Sequence, residues 1–176
     1  MTGKRLGIIG MGRIGRAVAH RAHFGFGMEV GFHNRSAIAD GGGVNGTQYA
    51  SVAELCAASD FVSLHCAATP DTFQILDDTA LAAMSPDAYV INTARGDVID
   101  EAALVAALEN DGIAGAGLDV YQGEPAINPA IMAAPNTVLL PHLGSATRET
   151  RVAMGMKVVA NARAFAAGGA LPDPVG

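Results

Sequence analysis

Aromatic side chains are scarce in this chain, at 5% of 176 residues, although half of all residues are apolar. Its interior must therefore be filled mainly by Ala, Val, Ile, Leu and Met, a composition suited to buried parallel strands under closely packed helices. Basic residues are also few: 11 Lys and Arg against 17 Asp and Glu give a formal charge of −6. Such a balance offers no broad positive field to a nucleic acid or an anionic membrane, so neither is expected as a partner. There are only two cysteines, Cys56 and Cys66, with no His or Cys in ligand spacing around them. Free thiols in a reducing compartment follow, and no metal site is expected. No apolar run approaches the ~18 residues of a membrane span. The opening "MTGKRLGIIG" has too short an apolar stretch for a signal peptide and reads as a first strand, which points to a cytoplasmic protein.

What is present is an alternation. Strand-like runs at Leu6–Ile9, Met28–His33, Phe61–Cys66, Ala88–Asn92, Gly115–Val120 and Thr137–Pro141 are separated by helix-like segments, the pattern of parallel strands joined by crossover helices. Ile14, Val18 and Ala22 recur on one helical face and are expected to pack on the sheet. Later helices are marked by "TALAAM", by "DEAALVAALENDG" with acids at its start, and by the stretch Ser145–Ala167. "ADGGGVNGTQ" and "QGEPAINPAIMAAPN" read as loops. A chain of this length can bury roughly 70% of its unfolded surface in one core.

Gly10-Met11-Gly12-Arg13-Ile14-Gly15 follows the first strand and opens a helix, the setting in which G-x-G-x-x-G binds a dinucleotide. Gly10 allows the tight turn, Gly12 lets the pyrophosphate approach the backbone, and Gly15 lets the helix sit close to the sheet. The helix start adds amide donors and positive potential. These features predict an α/β, Rossmann-type doubly wound parallel sheet, with residues 1–176 forming a single domain. About 20 residues onward an NAD site needs a carboxylate for the ribose 2′-hydroxyl. This chain has Asn34-Arg35-Ser36 there instead. A guanidinium pairs bidentately with phosphate, so NADP(H) is expected in preference to NAD(H), which stays possible. The competing reading makes Arg35 a solvated turn residue.

"LGIIGMGRIG", "SDFVSLHCAATPDT", "INTARGDVIDEAALVAAL", "GAGLDVYQGEP" and "VLLPHLGSATRET" cover most of the chain. Together they resemble the D-isomer-specific 2-hydroxyacid dehydrogenases, particularly the glyoxylate/hydroxypyruvate reductase members. The resemblance implies that Arg95 binds a substrate carboxylate and polarises its keto group, that His142 donates the proton, and that Glu124 orients His142. It also implies Asp119 as partner of the nicotinamide carboxamide, Thr93 and Ala94 along the ring, and Thr72 near the phosphates. Arg13 and Ile14 in the glycine loop and Gly144 after His142 complete the expected cofactor set. Ala67 departs from the family pattern, where many members carry proline, so packing on the adenine side is expected to differ. The chemistry is sound on its own terms, because a keto oxygen gaining negative charge needs a proton donor and a fixed cation. Arg95, Glu124 and His142 all lie just past expected strand ends, where open parallel sheets bind ligands.

His20, His23 and His65 are read as structural, while His33 stands where it could flank adenine. Family members also carry a second domain supplying the other wall of the substrate cleft. The chain is thus expected to be a cofactor-binding half whose helix from about 145 packs partly on that absent portion, and to show weak or no turnover alone. The implied substrate is a small 2-keto or 2-hydroxy acid, and the implied assembly a homodimer. A dinucleotide-sensing, corepressor-like protein and a stand-alone assembly domain are the alternatives.

Overall fold

In the computed structural model, which describes Met1–Pro174, seven parallel strands form one sheet in the order β3-β2-β1-β4-β5-β6-β7. They are β1 Arg5–Ile9, β2 Glu29–His33, β3 Thr47–Gln48, β4 Phe61–Leu64, β5 Tyr89–Asn92, β6 Gly115–Leu118 and β7 Thr137–Leu139. The helices are α1 Arg13–His20, α2 Val52–Ala57, α3 Asp78–Ala82, α4 Glu101–Glu109, α5 Pro129–Ala133 and α6 Arg148–Ala166. The chain steps outward from β1 to β3, then returns to β4 on the other side of β1, so the strand order reverses between β1 and β4. That reversal opens a crevice at the carboxyl ends of the strands, where ligands of doubly wound sheets bind. The expected fold class is observed.

The alternation of side chains along β1 assigns the two faces. Leu6 and Ile8 join Ala19, Ala22, Val30 and Phe32 in one core cluster beneath α1, while Ile9 joins Val62, Leu64 and Val90 in the cluster covered by α2, α3 and α4. The helix starts are locally determined. Ser51 and Glu54 form a reciprocal capping box at α2, Asp77 caps α3, and Asp100 accepts from the amides of Ala102 and Ala103 at α4. Each such cap is worth about 1 kcal/mol.

Several local expectations are corrected. The strands are shorter than the apolar runs: Met28, Cys66, Val120 and Pro141 lie outside them. The segment "ADGGGVNGTQ" ends in β3, and α5 lies within the stretch read as a proline-rich loop. On α1 the buried positions are Gly15 and Ala19, followed by Ala22 in the π-helical turn Arg21–Gly25, whereas Ile14 is 67% exposed. The cause is the close approach of helix and turn, since a Cβ on Gly15 would collide with the carbonyl oxygen of Gly10. Residues with almost no side chain must therefore face the sheet, and Ile14 is rotated outward.

The chain divides into two compact units, Met1–Pro141, which contains the sheet, and the segment from His142 onward, which contains α6. Thr147 caps α6, and Val152, Met156 and Val159 are exposed along it. Among the described residues no helix is long and apolar enough to cross a membrane.

Candidate dinucleotide and keto-acid site

At the β1–β4 crevice lies an open cleft of about 450 Å³. One wall is the glycine loop with Gly10 and Gly12 and the β2 edge with His33, Asn34, Arg35 and Ser36, and the facing wall includes Cys66, Thr69, Asp71 and Thr72. Gly10 has φ 97, and a Cβ there would lie 2.6 Å from the Cys66 amide nitrogen, so both conformation and crowding require glycine. A Cβ on Gly12 would meet nothing within 4 Å. Gly12 is the N-cap of α1, and no side chain caps that end of the helix. That combination fits a pyrophosphate group. Arg13 and Ile14 are exposed at the start of α1, and neither is among the residues lining the cleft.

The loop after β2 is held by side chains. Asn34 accepts from the Met11 amide at 3.2 Å and donates to the Ser36 carbonyl at 3.0 Å, tying the β2 edge to the glycine loop. Gln48 of β3 donates to the carbonyls of Asn34 and Ser36, both at 3.1 Å, and accepts from Ile38 N at 3.0 Å. Arg35, at the crest of this loop, has an 85% exposed side chain and reaches Asp71 across the cleft at 3.4 Å. Thr72, expected near phosphates, lines the cleft, but its hydroxyl is engaged in the turn Pro70–Thr72, with Ala67 O at 2.6 Å and Thr69 N at 2.9 Å. His33 and His65 also line the cleft. His33 Nδ1 lies 3.1 Å from Tyr49 O, and His65 Nε2 lies 2.9 Å from Ser63 Oγ. Burial lowers the pKa of His65, favouring the neutral ring, and raises that of the Cys66 thiol. Both cysteines are free.

Beyond β5, the exposed Thr93 and half-buried Ala94 lead to Arg95 in a turn shaped by the buried Asn92. Asn92 accepts from Ala94 N at 3.0 Å and donates to Arg95 O at 2.8 Å. Gly96 then presses on the loop after β6, since a Cβ there would collide with the backbone of Tyr121 and Gln122. In that loop Glu124 accepts from Tyr121 N at 2.8 Å, and buried Glu101 accepts from Gln122 N at 2.7 Å. The Tyr121 hydroxyl lies 2.8 Å from Leu140 O and 3.1 Å from Leu118 O, joining the ends of β6 and β7. Burial raises its pKa, so it stays a donor at neutral pH. Asp119 is buried at the end of β6, its amide donating to Asn92 O at 2.9 Å. Within the first unit the loops carrying Arg95, Asp119 and Glu124 are thus tied to one another. His142 and Gly144 open the second unit, and His142 has φ 55, a left-handed conformation uncommon for a side-chain-bearing residue. Among the described residues no three His, Cys, Asp or Glu side chains are grouped to hold a metal.

The family model of the D-isomer specific 2-hydroxyacid dehydrogenase NAD-binding domain matches residues 1–144. The chain belongs to this family. It is 43% identical over 175 residues to a glyoxylate reductase of Thermococcus litoralis, a match covering 99% of the chain and 53% of the relative. It is also 43% identical over 166 residues to a glyoxylate/hydroxypyruvate reductase B of Enterobacter agglomerans, covering 94% and 51%. Among solved structures it resembles an NADPH-dependent glyoxylate/hydroxypyruvate reductase from Sinorhizobium meliloti in complex with NADP and malonate. That match has TM-score 0.92 and 38% identity, and covers 98% of this chain and 53% of that one. The chain therefore spans about half the length of the family members it matches.

Sequence reasoning missed Gln48, Asp71, Asn92 and Tyr121 as organisers of the site. Asn92 was within reach, because an Asn whose carbonyl accepts from the amide two residues on makes a recognisable local turn. The other three act on partners distant in sequence, or through a turn whose placement only the fold provides.

Proposed function

We propose that this chain is the NADP(H)-binding half of a reductase that converts a small 2-keto acid of the glyoxylate or hydroxypyruvate type to its D-2-hydroxy acid. The single observation that carries the cofactor preference is the β2 edge: the Asn34–Ser36 loop lines the cleft, presents a guanidinium and holds no carboxylate. Gly10, Gly12 and Gly15 and the start of α1 would receive the pyrophosphate, and Arg35 with Ser36 the 2′-phosphate. Thr93, Ala94 and Asp119 would line the nicotinamide end. When bound, the nicotinamide supplies the hydride. Arg95 would bind the substrate carboxylate and offset charge growing on the keto oxygen, and His142 would hold the transferable proton at a ring nitrogen with Glu124 fixing its orientation. The reductases named for the similar proteins, and the malonate and NADP named with the Sinorhizobium structure, support this reading.

The test is a single-turnover experiment with protein in excess over NADPH, following absorbance at 340 nm after glyoxylate or hydroxypyruvate is added. A slow, keto-acid-dependent decay that is lost in Arg95→Gln and His142→Gln is expected. NADPH binding without any such decay, even when the second domain that family members carry is joined to the chain, would contradict the assignment of chemistry to these residues and favour a dinucleotide-sensing role.

A further inference from the structure

Among the described residues lining the cleft, Asp71 is the only carboxylate, and it faces the one guanidinium, that of Arg35, at 3.4 Å. The two arrive on unequal supports. Asp71 belongs to a short turn closed by reciprocal bonds between Thr69 and Thr72, so its backbone is fixed. Arg35 stands on a long flexible side chain at the crest of a loop whose carbonyls are held by Gln48. Both side chains are largely exposed, 85% and 74%, and an ion pair so exposed is weak enough to be broken by a stronger anion. A phosphate dianion on the adenosine ribose is such an anion for a guanidinium.

We propose that Asp71 is a specificity-determining residue of the cofactor site. It competes with the ribose 2′-phosphate for Arg35 and, once displaced, faces that phosphate as a like charge, which moderates the preference for the phosphorylated dinucleotide. The inference rests on the reading that Arg35 receives the 2′-phosphate. A dinucleotide whose ribose carries a free 2′-hydroxyl brings no charge there and leaves the Arg35–Asp71 pair intact, so Asp71 acts on one cofactor and not on the other.

The experiment is calorimetric titration of wild type, Asp71→Asn and Arg35→Ala with adenosine 2′,5′-bisphosphate and with adenosine 5′-monophosphate, two probes that differ only in the 2′-phosphate. Removing one unit charge a few ångströms from a dianion in a water-filled cleft is expected to tighten the bisphosphate about threefold to tenfold. The monophosphate should change by less than about twofold, and the gain should shrink as salt rises from about 50 mM to 500 mM. Bisphosphate binding that is unchanged or weaker in Asp71→Asn overturns the proposal. Arg35→Ala separates the two claims: if it loses the preference for the bisphosphate while Asp71→Asn has no effect, Arg35 keeps its role and only the competition is wrong. If Arg35→Ala keeps that preference, the underlying reading fails as well.

Discussion

The two ends of the sheet's carboxyl edge are built differently. At the β2 end the loop after β2 is held by side chains: Gln48 spans the carbonyls of Asn34 and Ser36, and Asn34 reaches back to Met11. At the β5–β6 end, the loops after β5 and β6 abut backbone to backbone at Gly96, and buried Glu101 and Tyr121 bond to main-chain atoms around them. The first arrangement rests on exposed and half-buried side chains rather than on packed main chain. The second cannot be altered without moving the main chain that carries Arg95 and Glu124. Under the proposed function, cofactor selection and the positioning of Arg95 and Glu124 would fall on structures of different stiffness.

The largest expected effect breaks the stiff end. Gly96→Ala forces a methyl group into the Tyr121–Gln122 backbone, and urea denaturation should show a loss of about 3 kcal/mol or more. Gly12→Ala is the matching change at the open end. Nothing lies within 4 Å of its Cβ position, so stability should change by less than about 1 kcal/mol. Affinity for NADPH and NADH alike should nevertheless fall at least about tenfold, because the new methyl group occupies the approach of the pyrophosphate. Equal stability losses in the two variants would dissolve the distinction drawn here.

A smaller effect sharpens the description of the β2 end. Gln48→Ala removes the clamp on the Asn34–Ser36 loop and should cost about 1 kcal/mol in thermal or chemical denaturation. It should weaken NADPH more than NADH, since only the former is held by the loop's crest. A variant that loses affinity for both equally would show that Gln48 supports the sheet rather than this loop.

The smallest expected effect concerns pH. Burial lowers the pKa of His65 below its ordinary value, so the folded state resists a proton that the unfolded chain accepts. The stability this residue contributes is fully present above about pH 6.5, the ordinary histidine value, and is lost as pH falls through the lower folded value. His65→Gln should flatten the stability profile below about pH 6.5. An unaltered profile would mean that His65 titrates as if it were exposed.

Much of this difference could be read from the sequence, but unevenly. The glycine loop announced itself because a strand, three spaced glycines and a helix are contiguous, and Gly10 and Gly15 sit where a Cβ would collide with neighbouring backbone. The missing carboxylate after β2 was equally plain. What could not be read was the support. β3 is two exposed residues long, too short for any periodicity, yet it delivers Gln48. On α1 and the π-helical turn after it the expected face holds at Ala22 and Val18, which pack in and against the core, but fails at Ile14, because the tight turn before the helix demands small residues against the sheet. Arg95, Glu124 and His142 were recognisable as family motifs, but the bonds from Glu101 to Gln122 and from Tyr121 to Leu140 link positions brought together only by folding.

The most direct test of the account is titration of wild type and Arg35→Ala with NADPH and NADH by calorimetry. Wild type should bind NADPH at least about tenfold more tightly than NADH, the scale of one charge-assisted bond to phosphate, and Arg35→Ala should erase that gap by weakening NADPH alone. Equal affinities in the wild type, or a preference for NADPH that survives in Arg35→Ala, would contradict the claim that the β2 edge selects the phosphorylated ribose.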